Sequence, residues 1–329
     1  MRDYVIRRLL LAIPTLLLIT IIVFLLVRFI PGSVLDLMVA EMSETAGITE
    51  IDVESLKAML GLDVPIYQQY GRWVGVWPQA SGEISGVLEG NLGVSLWSGE
   101  PVRDMIVHRL PVSVELGIFA VFTAWFFGLP IGIYSAIRQD SVIDYGGRSL
   151  ALIWVAAPGF WIATMVVVYP SIWWGWTPPM EYIPFATNPA GNLLQFVIPG
   201  FLMGASMSGS IARYTRTMML EVLRSDYIRT AWSKGLAERT ILTRHALRNA
   251  IIPLVTVAGA QVPRVLSGTV ILEQIFCLPG IGRLFIQSLN MRDYAVISGV
   301  NTIVATIVLA TNILVDISYA YIDPRVRYK

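Results

Sequence analysis

The sequence predicts an all-α integral membrane protein built as one domain, on three observations. Hydrophobic residues make up 55 % of the 329 and charged residues only 14 %, too little polar surface for a soluble protein of this size. Six apolar runs are each long enough to cross a bilayer core of about 30 Å as a helix. Lys and Arg collect on alternate connecting segments, which fixes an orientation. The net charge of +1 conceals that asymmetry, because it averages an acid-rich stretch in the first connection with an Arg-rich stretch in a later one.

The first run, Leu9 to Ile30, follows Arg2, Arg7 and Arg8. It has the length of a full span with no small-residue cleavage site after it, so it reads as a retained helix rather than a signal peptide. The other five are Val112 to Ile137, Leu150 to Pro170, Phe196 to Ala212, Ile251 to Ile271 and Ala295 to Ala320. Hydrocarbon offers backbone amides no partner, so each run must be helical. The segment Arg213 to Arg248 holds Arg213, Arg216, Arg224, Arg229, Lys234, Arg239, Arg244 and Arg248, which places it in the cytoplasm. Alternation of the spans then puts both termini and the short Arg138 to Arg148 loop on the same side.

Residues 31–111 lie outside in this topology and carry more acids than bases. Thr49 and Asp52 can cap a helix whose Leu56, Met59 and Leu60 share a face, and a second short helix is expected from Pro101 to Leu110. The chain divides into residues 1–30, with the first span; 31–111, the outer segment; and 112–329, a five-helix core containing the loop 213–250. Trp161, Trp173, Trp174 and Trp176 are expected to gather at the outer end of the third span as a headgroup-level belt. Gly128 with Gly132, and Gly200 with Gly204, make small-xxx-small pairs for close helix approach.

One cysteine, Cys277, excludes an internal disulfide, and two histidines, His108 and His245, supply too few soft ligands for a structural metal. Gly204-Ala205-Ser206 has the look of an intramembrane serine protease, but neither histidine lies on a span, so a general base is missing. There is no Gly-rich Lys-Ser/Thr loop to cradle a nucleotide phosphate. The basic loop is accounted for by membrane orientation and calls for no nucleic acid.

From Asp226 to Pro253 the pattern reads as helix, glycine break, helix, with Gly235 able to take the positive φ of a sharp turn. Tyr227, Trp232 and Leu236 on this elbow call for a protein surface to cover them. Here Arg229-Thr-Ala-Trp-Ser-Lys-Gly235, followed by His245-Ala-Leu-Arg-Asn-Ala-Ile-Ile-Pro253, resembles the EAA loop of permeases of ATP-binding-cassette (ABC) importers, in the dipeptide, oligopeptide and nickel branch. The resemblance covers nearly the whole chain, through Leu60 to Tyr70, Gly90 to Ser95, Glu273 to Arg283 and Asp323 to Arg325. Ser33-Val34 after Pro31-Gly32, and an insertion at Trp77 to Val87, depart from the pattern.

That resemblance implies a type I importer permease fold in the plasma (inner) membrane. It implies a second homologous permease, two ATPase subunits holding ATP and Mg, and an extracytoplasmic substrate-binding protein, with no cofactor and no catalytic site on this chain. It assigns ATPase coupling to Asp226, Tyr227, Arg229, Thr230, Ala231, Lys234, Gly235 and His245. Arg264 falls deep in the fifth span, where a charge costs a few kcal/mol, so it either lines the translocation path or bonds a polar neighbour. Glu273, with the break at Pro279 and Gly280, is read as part of an outer gate. Asp316 and Glu115 read as structural. The competing reading is an ion-coupled secondary transporter, which calls for mid-membrane acids or histidines and repeated halves.

Overall fold

The computed structural model describes residues 2–28, 63–79 and 82–322, and among these the secondary structure is helical apart from an isolated bridge between Val94 and Pro101. The helix expected near Thr49 to Leu60 lies outside the described residues. The helices are α1 (Arg2–Arg28), α2 (Ile66–Val74), α3 (Val102–Ile137), α4 (Val142–Ala156), α5 (Gly159–Trp174), α6 (Pro189–Leu223), α7 (Asp226–Ser233), α8 (Arg248–Ile275), α9 (Ile281–Asn290) and α10 (Tyr294–Ile322). A turn at Glu238–Thr240 and a π-helical run at Ile241–Leu247 lead into α8 without a break.

Among the described residues, four helices are long and apolar enough to cross a membrane: Ile6–Arg28, Val102–Ile137, Pro189–Leu223 and Tyr294–Ile317. The bent pair α4 and α5 makes a fifth. Here the structure corrects the sequence reading, because Leu150 to Pro170 is not one straight span. The chain turns by 86° between α4 and α5. Ala157 is extended at φ −76° and ψ 125°, as a residue before proline is forced to be, and Pro158 has no amide to continue the ladder.

Two boundaries also move. The short helix expected from Pro101 to Leu110 is the start of the 36-residue α3, which runs on through Pro111 because the apolar pattern continues on both sides of it. The fourth span, read as Phe196 to Ala212, belongs to the 35-residue α6, so Arg213 and Arg216 are helical and not part of a loop. Trp161 stands at the first turn of α5 and Trp173 and Trp174 at its last. About 18 Å of helix separates them, so the four tryptophans do not form one belt.

The chain divides into two compact units, one formed by Met1–Ile6, Val112–Gly282 and Val308–Lys329, the other by Arg7–Pro111 and Arg283–Ile307. In the first, the core gathers Leu116, Ala120 and Ala124 of α3 with Phe196, Met203 and Ile211 of α6 and Val265 and Leu272 of α8. The glycine pairs set the approach of α3 to α6. A Cβ on Gly204 would stand 2.5 Å from the Cβ of Thr123, and one on Gly132 would stand 2.5 Å from the Cβ of Thr215 and 2.6 Å from the Ala212 carbonyl. Pairing rises along both helices together, so α3 and α6 run parallel. Contacts from Asp144 to Arg216 and from Ala151 to Gly209 make α4 antiparallel to α6, while Gly117 against Val265 and Ser113 against Glu273 make α3 antiparallel to α8.

In the second unit, α2 lies on the end of α1. Phe24 packs edge-on to Tyr70 at 5.3 Å, the Arg28 guanidinium sits 4.1 Å from the Phe24 ring centre, and Thr20 shares a 2.9 Å hydrogen bond with Tyr70. The stretch after Trp77 is folded where it is described: the Gln79 side chain donates to the Arg72 and Ser85 carbonyls at 3.0 and 2.8 Å. Asp293 accepts from Ser95 Oγ at 2.6 Å and the Leu96 amide at 3.1 Å, which ties the loop before α3 to the start of α10.

Gly132→Val is expected to destabilise the protein by about 1–3 kcal/mol through overpacking of the α3–α6 seam, with Gly146→Ala, which meets open space, as the control. A thermal unfolding series in detergent reads both, and equal melting of the two variants would refute the seam.

Candidate functional site

The elbow is built from the end of α6 outward. Ser225, extended at φ −73° and ψ 151°, starts α7. One face of α7 is apolar and buried: Ile228 and Ala231 sit in a cluster with Met219 of α6, Ile241 and Ala246 of the π-helical run, Ala250 of α8 and Ala136 of α3. The opposite face is open, with Arg229, Thr230 and Lys234 exposed and Tyr227 and Trp232 still 46 % and 48 % exposed. Ala231 therefore seats the helix, while the bulky and charged members of the predicted set face out.

α7 ends at a paired turn. The Gly235 amide donates to the Trp232 carbonyl at 2.9 Å and the Leu236 amide to the Ala231 carbonyl at 3.4 Å, with Gly235 at φ 72°. This is the 5→2, 6→1 closure that requires a left-handed residue after the helix. Asn249 Nδ2 donates to the Tyr227 hydroxyl at 2.8 Å and to the His245 carbonyl at 3.0 Å, linking the first turn of α7 to the start of α8. His245 itself is half-buried and takes part through its main chain. Asp226 and Arg229 pair at 3.2 Å with side chains 95 % and 74 % exposed, an arrangement worth little in water. Both charges are thus open to a partner.

A second cluster closes the far end of α8. Glu273 is fully buried, and Ser113 Oγ donates to its Oε1 at 2.6 Å while accepting the Ile281 amide at 2.8 Å. The Leu278 amide returns to the Glu273 carbonyl at 2.9 Å. A Cβ on Gly280 would stand 2.3 Å from the Glu273 carboxyl carbon, so this position needs glycine for close approach. The predicted gate residues Glu273, Pro279 and Gly280 are brought together in one tight break. Arg264 falls within α8, and its side chain lies outside the described residues. Glu115 accepts from the Tyr182 hydroxyl at 3.4 Å; burial first, then the Glu115 charge, hold the Tyr182 phenol above its ordinary value.

Sequence reading missed an ion pair two turns above the elbow. Arg216 of α6 grips Asp144 of α4 with two bonds, Nε to Oδ1 at 2.7 Å and Nη2 to Oδ2 at 2.6 Å, and Asp144 is fully buried. Asp144 also accepts the Asp140 amide, and Ser141 accepts the Asp144 amide at the N-terminus of α4. The Ser141-x-x-Asp144 spacing was the available signal for that cap. Nothing local pointed to Arg216, which counted only as a positive charge for orientation.

Residues 128–328 match the profile of the binding-protein-dependent transport system inner membrane component, and residues 1–117 match that of the corresponding N-terminal component. The chain belongs to this permease family. The permease is 36 % identical over 331 residues to the oligopeptide transport system permease protein AppB of Bacillus subtilis, covering all of both chains. It is 36 % identical over 352 residues to the dipeptide transport system permease protein DppB of Escherichia coli K12, again over all of both. Among solved structures, an inward-facing form of the methionine ABC transporter MetNI superposes with a TM-score of 0.51 at 14 % identity, covering 67 % of this chain and 96 % of that one. That likeness shows the ABC importer permease fold. The permease is a multi-pass membrane protein, and as a component of a binding-protein-dependent system it works with an ATPase and a substrate-binding protein.

Asp144→Ala strands Arg216 in a mostly buried site and is expected to cost about 3 kcal/mol. Removing both partners should recover part of that loss, and additive single and double losses in chemical unfolding would show that the two groups do not interact.

Proposed function

We propose that the permease forms half of the pore of an ATP-driven importer of short peptides in the inner membrane, and that the elbow is where the motor's stroke enters the membrane domain. The observation that carries this is the two-faced elbow: α7 is bolted by Ile228 and Ala231 to the ends of α6 and α8, while Tyr227, Trp232 and Leu236 are left uncovered to solvent. An exposed aromatic patch rimmed by charge is what a protein partner recognises. Peptide is the solute because the full-length relatives carry oligopeptides and dipeptides by name. The family assignment leaves no call for an ion-coupled transporter.

In this reading the chain crosses six times with both termini inside. The parallel α3–α6 and antiparallel α3–α8 and α4–α6 pairings support it, since a six-span chain with a bent third span requires those directions. The pore is completed by a homologous permease, making a heterodimer in contact with lipid. Two ATPase subunits bind ATP and Mg, and this chain contributes no catalytic residue. When the ATPases close, α7 moves with them. The apolar seat and the Tyr227–Asn249 bond pass that displacement to α6 and α8 together, and the pore opens toward the binding protein. Glu273 and its Ser113 and Gly280 contacts hold the gate end of α8 in shape.

Trp232→Ala combined with Lys234→Glu is expected to cut ATP-driven peptide uptake by the reconstituted complex about 30-fold, the loss of one strong interface residue, while the variant still inserts and melts normally. Co-purification with the ATPase subunits should fall in parallel. Undiminished uptake and normal co-purification would refute the elbow's role.

A further inference from the structure

A cavity of about 350 Å³ opens beside the α4–α5 corner, within the first unit. Its floor is α6, where Met203 and Met207 are buried and Ser206 and Ser210, four residues apart, put hydroxyls on one face. Its wall is α8, contributing Gln261, which is 3 % exposed and whose Oε1 has no hydrogen-bond partner among the described residues. A buried acceptor left unpaired costs free energy that a native protein normally avoids. Its presence on a cavity wall points to a ligand that supplies the missing N–H.

The remaining side of the cavity is the N-terminus of the 16-residue α5, through Gly159 and Phe160. The Pro158 carbonyl takes the amides of Trp161 and Ile162. The N-cap residue Pro158 has no side-chain hydrogen bond to offer this end. The Gly159 and Phe160 amides therefore sit at the free, positive end of a helix, the arrangement that attracts a carboxylate. Donors for an anion and an acceptor for an amide N–H face one small, mostly apolar space. Methionine walls fit side chains of varied shape.

We infer that this cavity is a transit site for the C-terminal end of a short peptide, the α5 amides taking the carboxylate and Gln261 Oε1 taking a peptide N–H. The inference rests on the permease reading above and assigns within it a place where cargo pauses. The volume lies at the small end of the range for ligand pockets, about 300–1,000 Å³. It therefore holds one end of the cargo and not the whole of a long peptide.

The test uses the complete complex with its ATPases, partner permease and binding protein in proteoliposomes. A photoreactive p-benzoylphenylalanine replaces Leu202, which lines the cavity, or Ile118 on the exposed face of α3 as the control. The probe is a pool of tritiated di-, tri- and tetra-alanine, run beside the same peptides with amidated C-termini. Expected is ATP-dependent labelling at position 202 but not 118, reduced about tenfold by Gln261→Leu and about tenfold by amidation for equal amounts bound to the binding protein, the loss of one charge-assisted or buried hydrogen bond. Met203→Trp, which fills the space without touching the polar groups, should also abolish the label. Uptake that continues with no label at 202 overturns the site and leaves the permease reading intact. Labelling indifferent to both Gln261→Leu and amidation overturns the assigned contacts. Complexes that hydrolyse ATP yet import none of the pool overturn both readings.

Discussion

A backbone amide or carbonyl that leaves a helix needs a new partner, above all where hydrocarbon offers none, and this chain supplies one at three such points. After α8 the Ile281 amide goes to Ser113 Oγ. Before α4 the Asp140 amide goes to Asp144. In the connection from α5 to α6, the buried Asn192 donates to the Ile183 carbonyl, and Gln195 accepts the Ile183 amide and donates to the Glu181 carbonyl. Each of these polar side chains is tied to a particular departure from helical structure. Among the described residues the start of α5 and the Gln261 oxygen lack such a tie, as do Asn192 Oδ1 and Thr215 Oγ1, and the first two border the same cavity.

The same constraint bears on the proposed coupling, in which a push at the elbow travels into the membrane. Helices with internally satisfied backbones are stiff rods, and α3 and α6 are held at backbone distance by glycine against Thr123, Ala212 and Thr215. In the proposed coupling the elbow needs only a small apolar seat to hand motion to such rods. Ile228 and Ala231 form that seat, and the Asp144–Arg216 pair braces α6 against α4 just above it. A buried pair of this kind contributes little net stability but fixes register strongly. Register is what a transmitted displacement requires.

Much of the fold was legible in the sequence because hydropathy reports which residues meet lipid. The elbow was legible too, since Gly235 is the one residue type that its turn accepts readily. Hydropathy does not report direction, however. The apolar run continues unbroken across Ala157 and Pro158, so a corner of 86° reads as a straight span unless the proline is given its full weight. Trp161 was assigned to the wrong end of α5 for the same reason. The bonds from Asp144 to Arg216 and from Ser113 to Glu273 join residues 72 and 160 positions apart, and no local pattern encodes such a meeting. The departure at Gly280 from ordinary helix was visible, whereas its cause, a carboxyl group occupying the space of a side chain, was not.

At Gly235 a methyl group would meet nothing within 4 Å, while the backbone stands at φ +72°. The position therefore discriminates by handedness and is indifferent to bulk. A residue of the opposite chirality, introduced by chemical ligation, would suit this conformation better than any of the genetically encoded alternatives to glycine, and it would narrow the unfolded chain's freedom at the same time. The bend after α7 is, in that sense, a place where the achiral residue stands in for a mirror-image one that the ribosome cannot deliver.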